Sequence, residues 1–191
     1  MALDEIILLI MPALWVTWLA YWWYSSRDVK PTRIQEPLGS KLRHRIPIAI
    51  GALLFAAPRF VPGALRGRFL PRSSVLLILG TAMVAAGLGL AVWARRHLGR
   101  NWSAQVVVKE DHALIRTGPY RHVRHPIYTG LLLAFLGMAV IVGEWRGLLA
   151  LACFGLSFAV KSRLEEARMR EAFPEYEAYR RETAALVPGI Y

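Results

Sequence analysis

The sequence predicts an all-α fold, an integral membrane helical bundle of about five transmembrane helices with a C-terminal helical hairpin and an amphipathic cytosolic tail helix. Three observations indicate this class. The 191-residue chain is 55% hydrophobic, more than is usual for a soluble domain. Several long segments carry no charged residue. Seven Trp and seven Tyr suit a protein with two membrane–water interfaces.

The first two apolar segments differ in how well they fit a transmembrane helix. Residues Ile6 to Tyr24 carry no charge and would span roughly 28 Å as a helix, close to the hydrocarbon thickness of a bilayer. A cleaved signal peptide would begin with basic residues, whereas this run follows two acidic ones, so we expect a retained helix with its N-terminus outside. The segment from Ile46 to Val61 is bracketed by Pro47 and Pro58 and predicts either a short span or a re-entrant segment.

The remaining spans are clearer. Residues Ser74 to Ala94 predict a helix whose glycines allow close packing against a neighbour. Residues Ile127 to Gly143 and Gly147 to Val160 are separated by only three residues, which predicts a tight antiparallel hairpin. The polar tail after Val160 has a helical pattern through Arg181 and a break near Pro174.

The distribution of Lys and Arg predicts the orientation. The segments Arg27–Arg45, Arg95–Arg124 and the tail after Val160 contain six, seven and six of these residues. The segment Arg59–Arg72 has four and the hairpin tip has one. The long polar connection and the C-terminal tail are therefore expected to share the cytosolic face, in a cell inner membrane or the endoplasmic reticulum.

Composition also excludes some function classes. The net charge of +11 arises from basic residues placed between apolar runs, which favours anionic lipid headgroups over nucleic acid as the counter-charge. The lone Cys153 cannot form an intrachain disulfide, and no Cys/His pattern predicts a metal site. The four best spans contain no Asp, Glu, Lys or Arg, which counts against an ion-coupled transporter.

The stretch from Gly118 to Gly130 has the strongest functional signal. Arg124 and His125 directly precede Pro126, a residue favoured at the first position of a helix. The helix N-terminus, a guanidinium and an imidazole would together form an anion site at the membrane face. The alternative is a basic collar that merely contacts lipid phosphates, but a collar gives no reason for His, Pro and Tyr at fixed spacing.

Two adjacent carboxylates, Glu165 and Glu166, follow the last span. On a helix they point about 100° apart, so we expect at most one to face inward. The alternative is a solvated tail helix with surface ion pairs such as Glu166 to Arg170. Either reading depends on whether the pair lies near the Arg124–His125 turn.

These residues resemble a known family. The pattern runs His112-x-Leu114, Gly118-Pro119-Tyr120-Arg121, Arg124-His125-Pro126-x-Tyr128-x-Gly130, then Glu165-Glu166, Phe173, Tyr176, Tyr179 and Pro188. It is similar to that of the isoprenylcysteine carboxyl methyltransferases, within a broader group that includes phospholipid N-methyltransferases. The resemblance covers about half the chain. Its tail differs, because Pro174 stands where the family usually has Gly.

The resemblance implies a membrane methyltransferase that uses S-adenosylmethionine and a lipophilic or prenylated acceptor, with the carboxylate of an isoprenylcysteine-like thioether favoured. It implies a single domain, in which residues 1–94 face the acceptor and residues 95–191 bind the cofactor. Arg124 would face the acceptor carboxylate, and Glu165 would join it in catalysis. The residues that would hold the cofactor are His112, Gly118, Pro119, Tyr120, His125, Pro126, Tyr128, Glu165 and Glu166.

Three alternatives stay open. A phospholipid or other lipid amine could be the acceptor, in which case a Glu would act as base. Sterol-type reductases carry a similar C-terminal motif and use NADPH, although they are generally larger. A non-catalytic membrane scaffold would tolerate loss of Arg124 and His125, whereas an enzyme would not.

Overall fold

The fold of this chain is all-α, as the sequence predicts. The computed structural model describes residues 3–27, 37–99, 102 and 114–187, and within these ranges β-type pairing is limited to two isolated bridges. Short 3-10 turns connect several of the helices. The α-helices of the described ranges are α1 Leu3–Ser25, α2 Leu38–Ala56, α3 Ser74–Leu98, α4 Pro126–Val142, α5 Trp145–Ala172 and α6 Tyr176–Glu182.

Helix α2 departs from the predicted segment at both ends. It begins eight residues earlier than Ile46 and ends at Ala56, so the stretch up to Val61 is not part of it. Pro47 lies inside the helix, and Pro58 opens a separate 3-10 turn. Ala57 has φ −127° and ψ 62° because a residue before proline is forced out of the helical region.

Helices α3 and α4 pack against each other through glycines. A Cβ on Gly80 would collide with the Gly137 carbonyl, and one on Gly87 would collide with the Gly130 carbonyl. The two contacts lie seven residues apart on each antiparallel helix, which places all four glycines on one seam. The predicted packing role of Gly87 is confirmed, whereas Gly89 has no neighbour within 4 Å of its Cβ position.

The predicted hairpin is present between α4 and α5. Gly143 ends α4 with φ 62°, a left-handed conformation that glycine adopts without strain. Helix α5 then continues without a break to Ala172, so the polar tail after Val160 is an extension of α5 and not a separate helix. The break falls at Phe173, directly before Pro174, and α6 follows it.

The surfaces of the long helices are largely apolar and exposed. By length and composition, α3 and α5 are each able to cross a bilayer, and α4 is a shorter apolar helix of 17 residues. Only 28% and 33% of the most apolar stretches of α3 and α5 are buried inside the protein. The core helix of a soluble protein would be mostly buried, so this exposure favours contact with lipid.

Hydrogen bonds between neighbouring helices occur toward both ends of the bundle. Arg95 near the end of α3 donates to the Ser25 carbonyl at the end of α1, and Ser157 on α5 donates to the His44 carbonyl on α2 at 2.6 Å. At the other end, Arg146 on α5 donates to the Leu54 carbonyl of α2 at 2.6 Å. The described end of the predicted polar connection, residues 114–124, contacts the C-terminal tail, since the Tyr179 hydroxyl donates to the Tyr120 carbonyl at 2.6 Å.

Candidate active site

The turn before α4 and the polar end of α5 meet in space. Arg124 and His125 approach Glu165 and Glu166 although about forty positions separate them in sequence. Antiparallel packing of α4 and α5 in the hairpin produces this meeting, because the start of α4 and the end of α5 lie at the same end of the bundle. We refer to Arg124, His125, Glu165 and Glu166 as the charged cluster.

His125 bridges the two carboxylates of the charged cluster. Its Nε2 lies 3.2 Å from Glu166 Oε1, and its Nδ1 lies 3.4 Å from Glu165 Oε2. Both ring nitrogens can donate only when the ring is protonated. Burial alone would lower the pKa of His125, but the hydrogen bonds to Glu165 and Glu166 and their charges outweigh it and raise that pKa above its ordinary value. A buried imidazole between two carboxylates therefore favours the protonated form of its ring.

Arg124 connects the charged cluster to the C-terminal segment. Its Nε donates to Glu166 Oε1 at 2.7 Å, and both side chains are only 8% exposed. One terminal nitrogen donates to the Arg180 carbonyl at 3.0 Å and also to the Thr183 carbonyl. Arg180 returns to the cluster, since its Nε lies 3.7 Å from Glu166 Oε2. Arg124 thus holds both Glu166 and the end of α6 in place.

The backbone after α6 runs alongside the turn that begins the site. The backbone N–H groups of Arg124 and His125 donate to the carbonyls of Ala184 and Ala185 at 2.9 and 3.0 Å. The Thr129 hydroxyl donates to the Leu186 carbonyl at 2.5 Å. We call residues 183–186 the C-terminal strap. It pairs with backbone N–H groups of the turn that precedes α4.

Tyr128 and Lys161 extend the site toward the apolar core. The Tyr128 hydroxyl donates to Glu165 Oε1 at 2.7 Å, and its ring stacks on His125 with centroids 5.6 Å apart. The Lys161 Nζ lies 3.8 Å from the same Glu165 oxygen and 5.6 Å from the centroid of the Tyr128 ring. Glu165 is therefore surrounded by three polar partners, and each carboxylate of the cluster has at least one cationic neighbour.

The turn from Gly118 to Tyr120, which was predicted to help hold the cofactor, lies beside the charged cluster and is not part of it. Gly118 has φ 58° and faces the ring of His97, where a Cβ would be less than 3.0 Å from the ring atoms. Tyr120 is 6% exposed, and its carbonyl accepts a hydrogen bond of 2.6 Å from the Tyr179 hydroxyl. Pro119 and Pro126 are buried at the starts of their helices. The turn thus contacts α3 through His97 and α6 through Tyr179.

The structure corrects the prediction about the two adjacent carboxylates, and two other predicted residues lie outside the part of the chain that it describes. Glu165 and Glu166 were expected to compete for the interior, but both contact His125, because the ring lies between them and each nitrogen reaches one carboxylate. Glu166 is 6% exposed and pairs with Arg124 and Arg180, so the solvated tail helix is not what forms. His112 and Pro188 lie outside the described residues.

Some site residues were not predicted. Lys161 stands four positions before Glu165 on α5, so the spacing of an i,i+4 ion pair was a signal that could have identified it. Arg180 and the C-terminal strap reach the site through long-range packing and backbone carbonyls, for which the sequence has no local signal. In the described part of the chain, no group of three or more His, Cys, Asp or Glu residues is arranged to hold a metal ion.

A bundle of apolar helices with a buried charged cluster at one end has the architecture of a membrane protein with a polar site at its face. The profile of the phospholipid methyltransferase family matches residues 75–176, more than half of the chain. The match runs from the start of α3 to the start of α6 and includes the whole charged cluster. The chain belongs to this family of membrane methyltransferases, which confirms the resemblance found in the sequence.

Three curated relatives are similar to this chain, and one of them is named as a methyltransferase. The cobalt-zinc-cadmium resistance protein CzcN of Cupriavidus metallidurans is 32% identical over 78% of this chain and 65% of its own length. The nickel-cobalt-cadmium resistance protein NccN of Alcaligenes xylosoxydans is 32% identical over 49% of this chain and 45% of its own. The protein-S-isoprenylcysteine O-methyltransferase of Schizosaccharomyces pombe is 31% identical over 48% of this chain and 41% of its own. The chain spans less than two thirds of the length of each relative.

Proposed function

We propose that this protein transfers a methyl group from S-adenosylmethionine to the carboxylate of a lipophilic acceptor, an isoprenylcysteine-like thioether. The observation that carries the proposal is the meeting of the Arg124–His125 turn with Glu165 and Glu166 at one end of an apolar bundle. The name of the fission yeast relative supports this acceptor class. Membership of a methyltransferase family supports the reaction type.

The side chains of the site fit the cofactor chemically. When bound, S-adenosylmethionine supplies a methyl group attached to a positively charged sulfur. Glu165 and Glu166 would hold its amine and ribose hydroxyls, with the Tyr128 hydroxyl beside Glu165. His125 would hold its carboxylate, with the backbone of Gly118 to Tyr120 nearby. The charge pattern of the cluster, with carboxylates and cations interleaved, matches a zwitterionic ligand.

The reaction requires little acid–base chemistry from the protein. A carboxylate oxygen forms the new O–C bond while the S–C bond breaks and its electron pair stays on sulfur, so no proton is released. The residues of the site would therefore act by positioning the two reactants in line and excluding water. Arg124 would act through Glu166 and the C-terminal strap, because its donors are directed at those groups. Its direct contact with the acceptor stays a prediction.

The topology that suits this function has five helices, α1 to α5, in the membrane and an outside N-terminus. Helix α5 has 28 residues and is about 42 Å long, which exceeds a hydrocarbon thickness of about 30 Å. If Trp145 lies at the outer boundary, the inner boundary falls near Glu165. The charged cluster would then lie at the cytosolic face, with residues 95–191 binding the cofactor and residues 1–94 facing the acceptor.

A lipid amine is the second candidate acceptor, and the description of the matching family as phospholipid methyltransferases favours it. An ammonium group must lose a proton before it can attack, so one of the carboxylates would have to act as base. Both carboxylates pair with cations in this structure, which disfavours that role. The carboxylate acceptor is therefore the better fit.

Two measurements test the proposal. Calorimetry on the detergent-purified protein should detect binding of S-adenosylmethionine and of its demethylated product, whereas binding of NADPH in their place would favour a reductase. Transfer of labelled methyl into a panel of lipid thioether acids and lipid amines should label the acids. A protein that binds neither cofactor and labels no acceptor would contradict an enzymatic function.

A further inference from the structure

An aromatic ladder leads from the charged cluster into the bundle. Tyr128 and Phe158 stack with centroids 4.9 Å apart and an interplanar angle of 8°. Deeper in the bundle, Phe135 and Phe154 stack at 3.6 Å and 4°. The spacing of seven residues on α4 and four on α5 places each pair on one helix face. The rings therefore form a continuous apolar wall below the polar site.

Residues from the two N-terminal helices reach the deep end of this ladder. Trp15 on α1 stacks on Phe135 with centroids 5.3 Å apart. Phe55 on α2 contacts the same ring at 6.2 Å. Helices α1 and α2 thus flank the face of α4 that carries the ladder, and their aromatic side chains close its deep end. The α4 rings of the ladder, Tyr128 and Phe135, are partly exposed, whereas its α5 rings are buried in the core. A linear apolar chain that lies along the α4 rings would point its head group at the charged cluster.

Lys161 occupies the junction between the ladder and the charged cluster. It follows Phe158 by three residues and precedes Glu165 by four, so all three lie on one face of α5. Its ammonium lies 3.8 Å from a Glu165 oxygen and 5.6 Å from the Tyr128 ring, and its side chain is 13% exposed. A positive charge therefore stands where the head group of an apolar ligand would arrive.

Lys161 is better placed for this role than Arg124. The donors of Arg124 are directed at Glu166 and at the carbonyls of Arg180 and Thr183. The Lys161 ammonium is a point charge on a flexible four-carbon stem, so it can contact a ligand carboxylate while it stays close to Glu165. It would also repel a ligand with a positively charged head group.

We propose that Lys161 is the residue that binds the acceptor head group, and that it selects a carboxylate over an amine. The inference rests on the proposed methyl transfer and deepens it by naming a specificity residue. The head group lies beside Lys161, and the hydrocarbon part of the acceptor lies along the aromatic ladder. The methyl transfer step is the one given above, in which the carboxylate oxygen forms the new bond and no proton is released.

The test compares two acceptors with the same hydrocarbon chain, N-acetyl-S-farnesylcysteine as the acid and S-farnesylcysteamine as the amine. Lys161→Met removes the charge and keeps the length of the side chain, and Lys161→Arg keeps the charge. Arg170→Met removes one positive charge from an exposed position of the same helix and serves as the control. For each protein, KM and kcat for both acceptors and the Kd for S-adenosylmethionine are measured in detergent micelles.

We expect Lys161→Met to raise KM for the acid roughly ten- to a hundredfold, the effect of one charge-assisted hydrogen bond. The Kd of Lys161→Met for S-adenosylmethionine should stay within about threefold of the wild-type value. Lys161→Arg should restore most of the affinity for the acid. Lys161→Met should use the amine acceptor at least as well as the wild type does. An unchanged KM for the acid, or an equal loss of cofactor affinity, would overturn the assignment. Wild-type protein that binds no cofactor would instead overturn the proposed function itself.

Discussion

The two ends of the bundle each contain an arginine–glutamate pair, but the surroundings of the pairs differ. At one end Arg146 Nε lies 2.6 Å from Glu144 Oε2, and the rest of that guanidinium donates to the last carbonyls of α2. At the other end Arg124 Nε lies 2.7 Å from Glu166 Oε1, an oxygen that His125 also contacts. The first pair closes the hairpin, whereas the second belongs to a larger network.

This difference teaches how to separate structure from function in the charged cluster. Both pairs hold helices together, and either would look important from burial alone. Only the Arg124–Glu166 pair adjoins a second carboxylate, an imidazole, a tyrosine hydroxyl and a lysine. Variants at Arg146 and Glu144 are therefore matched controls, because they remove similar pair interactions at a site where we propose no chemistry.

Removal of either arginine should have the largest effect. Arg124→Met leaves the buried Glu166 carboxylate without its main partner, which we expect to cost about 3–5 kcal/mol of folding free energy. Arg146→Met leaves the half-buried Glu144 and two carbonyls of α2 without their donor, which we expect to cost about 1–3 kcal/mol. Thermal unfolding in detergent should show a lower Tm for both variants. Only Arg124→Met should also lose methyl transfer under conditions where the folded fraction is matched. Equal activity losses in the two folded variants would mean that Arg124 is structural alone.

Neutralisation of Glu166 or Glu144 should show a clearer difference between the two ends of the bundle, this time in cofactor affinity. Glu166→Gln weakens the charge-assisted hydrogen bonds from Arg124 and His125, each of which contributes about 1.5–3 kcal/mol. We expect its affinity for S-adenosylmethionine to fall at least about a hundredfold, or ~2.7 kcal/mol. Glu144→Gln should bind the cofactor as the wild type does. Calorimetry with both variants checks this, and unchanged binding by Glu166→Gln would exclude Glu166 from the cofactor site.

The two ends should also differ in their response to pH. The neighbouring carboxylates raise the pKa of His125, so its protonated form stabilises the folded state. This contribution is complete below the ordinary value of about 6.5 and is lost as pH rises through the raised pKa. The difference in Tm between the wild type and His125→Gln should therefore shrink as pH rises from 6 to 9, whereas the effect of Arg146→Met should stay constant. A constant difference for both variants would argue against a charged His125.

The smallest effect should come from the Tyr128 hydroxyl. Tyr128→Phe removes one hydrogen bond to Glu165 and keeps the ring stacks with His125 and Phe158. We expect a loss of about 1 kcal/mol, or roughly fivefold in cofactor affinity. Tyr179→Phe, which removes a hydrogen bond to the Tyr120 carbonyl, is the control. A larger loss for Tyr179→Phe than for Tyr128→Phe would move the cofactor toward the turn at Tyr120.

The sequence predicted the features that depend on local rules. The hairpin followed from a three-residue linker between two apolar runs, and the break at Phe173 followed from Pro174. The start of α4 followed from Pro126 and its preference for the first helical turn. Each of these needs only the conformational limits of a few neighbouring residues.

The features that it missed depend on partners distant in the chain. Both glutamates contact His125 because its ring lies between them. A helical wheel of α5 shows only residues of α5, so it does not include that ring. The C-terminal strap binds through backbone carbonyls, which are the same for every residue and leave no mark in a sequence. The extent of α2 was missed because a proline inside a helix is tolerated when neighbouring helices support it.

The glycine seam between α3 and α4 has a mechanical consequence. At Gly80–Gly137 and Gly87–Gly130 the two backbones touch with no side chain between them, so there is no rotamer that could turn to create space. We expect this pair of helices to behave as a rigid plate in which sliding or separation is strongly resisted. Any movement that admits a bulky lipid must then come from α1, α2 or the C-terminal strap, which makes the part of the chain with the least recognisable sequence its moving part.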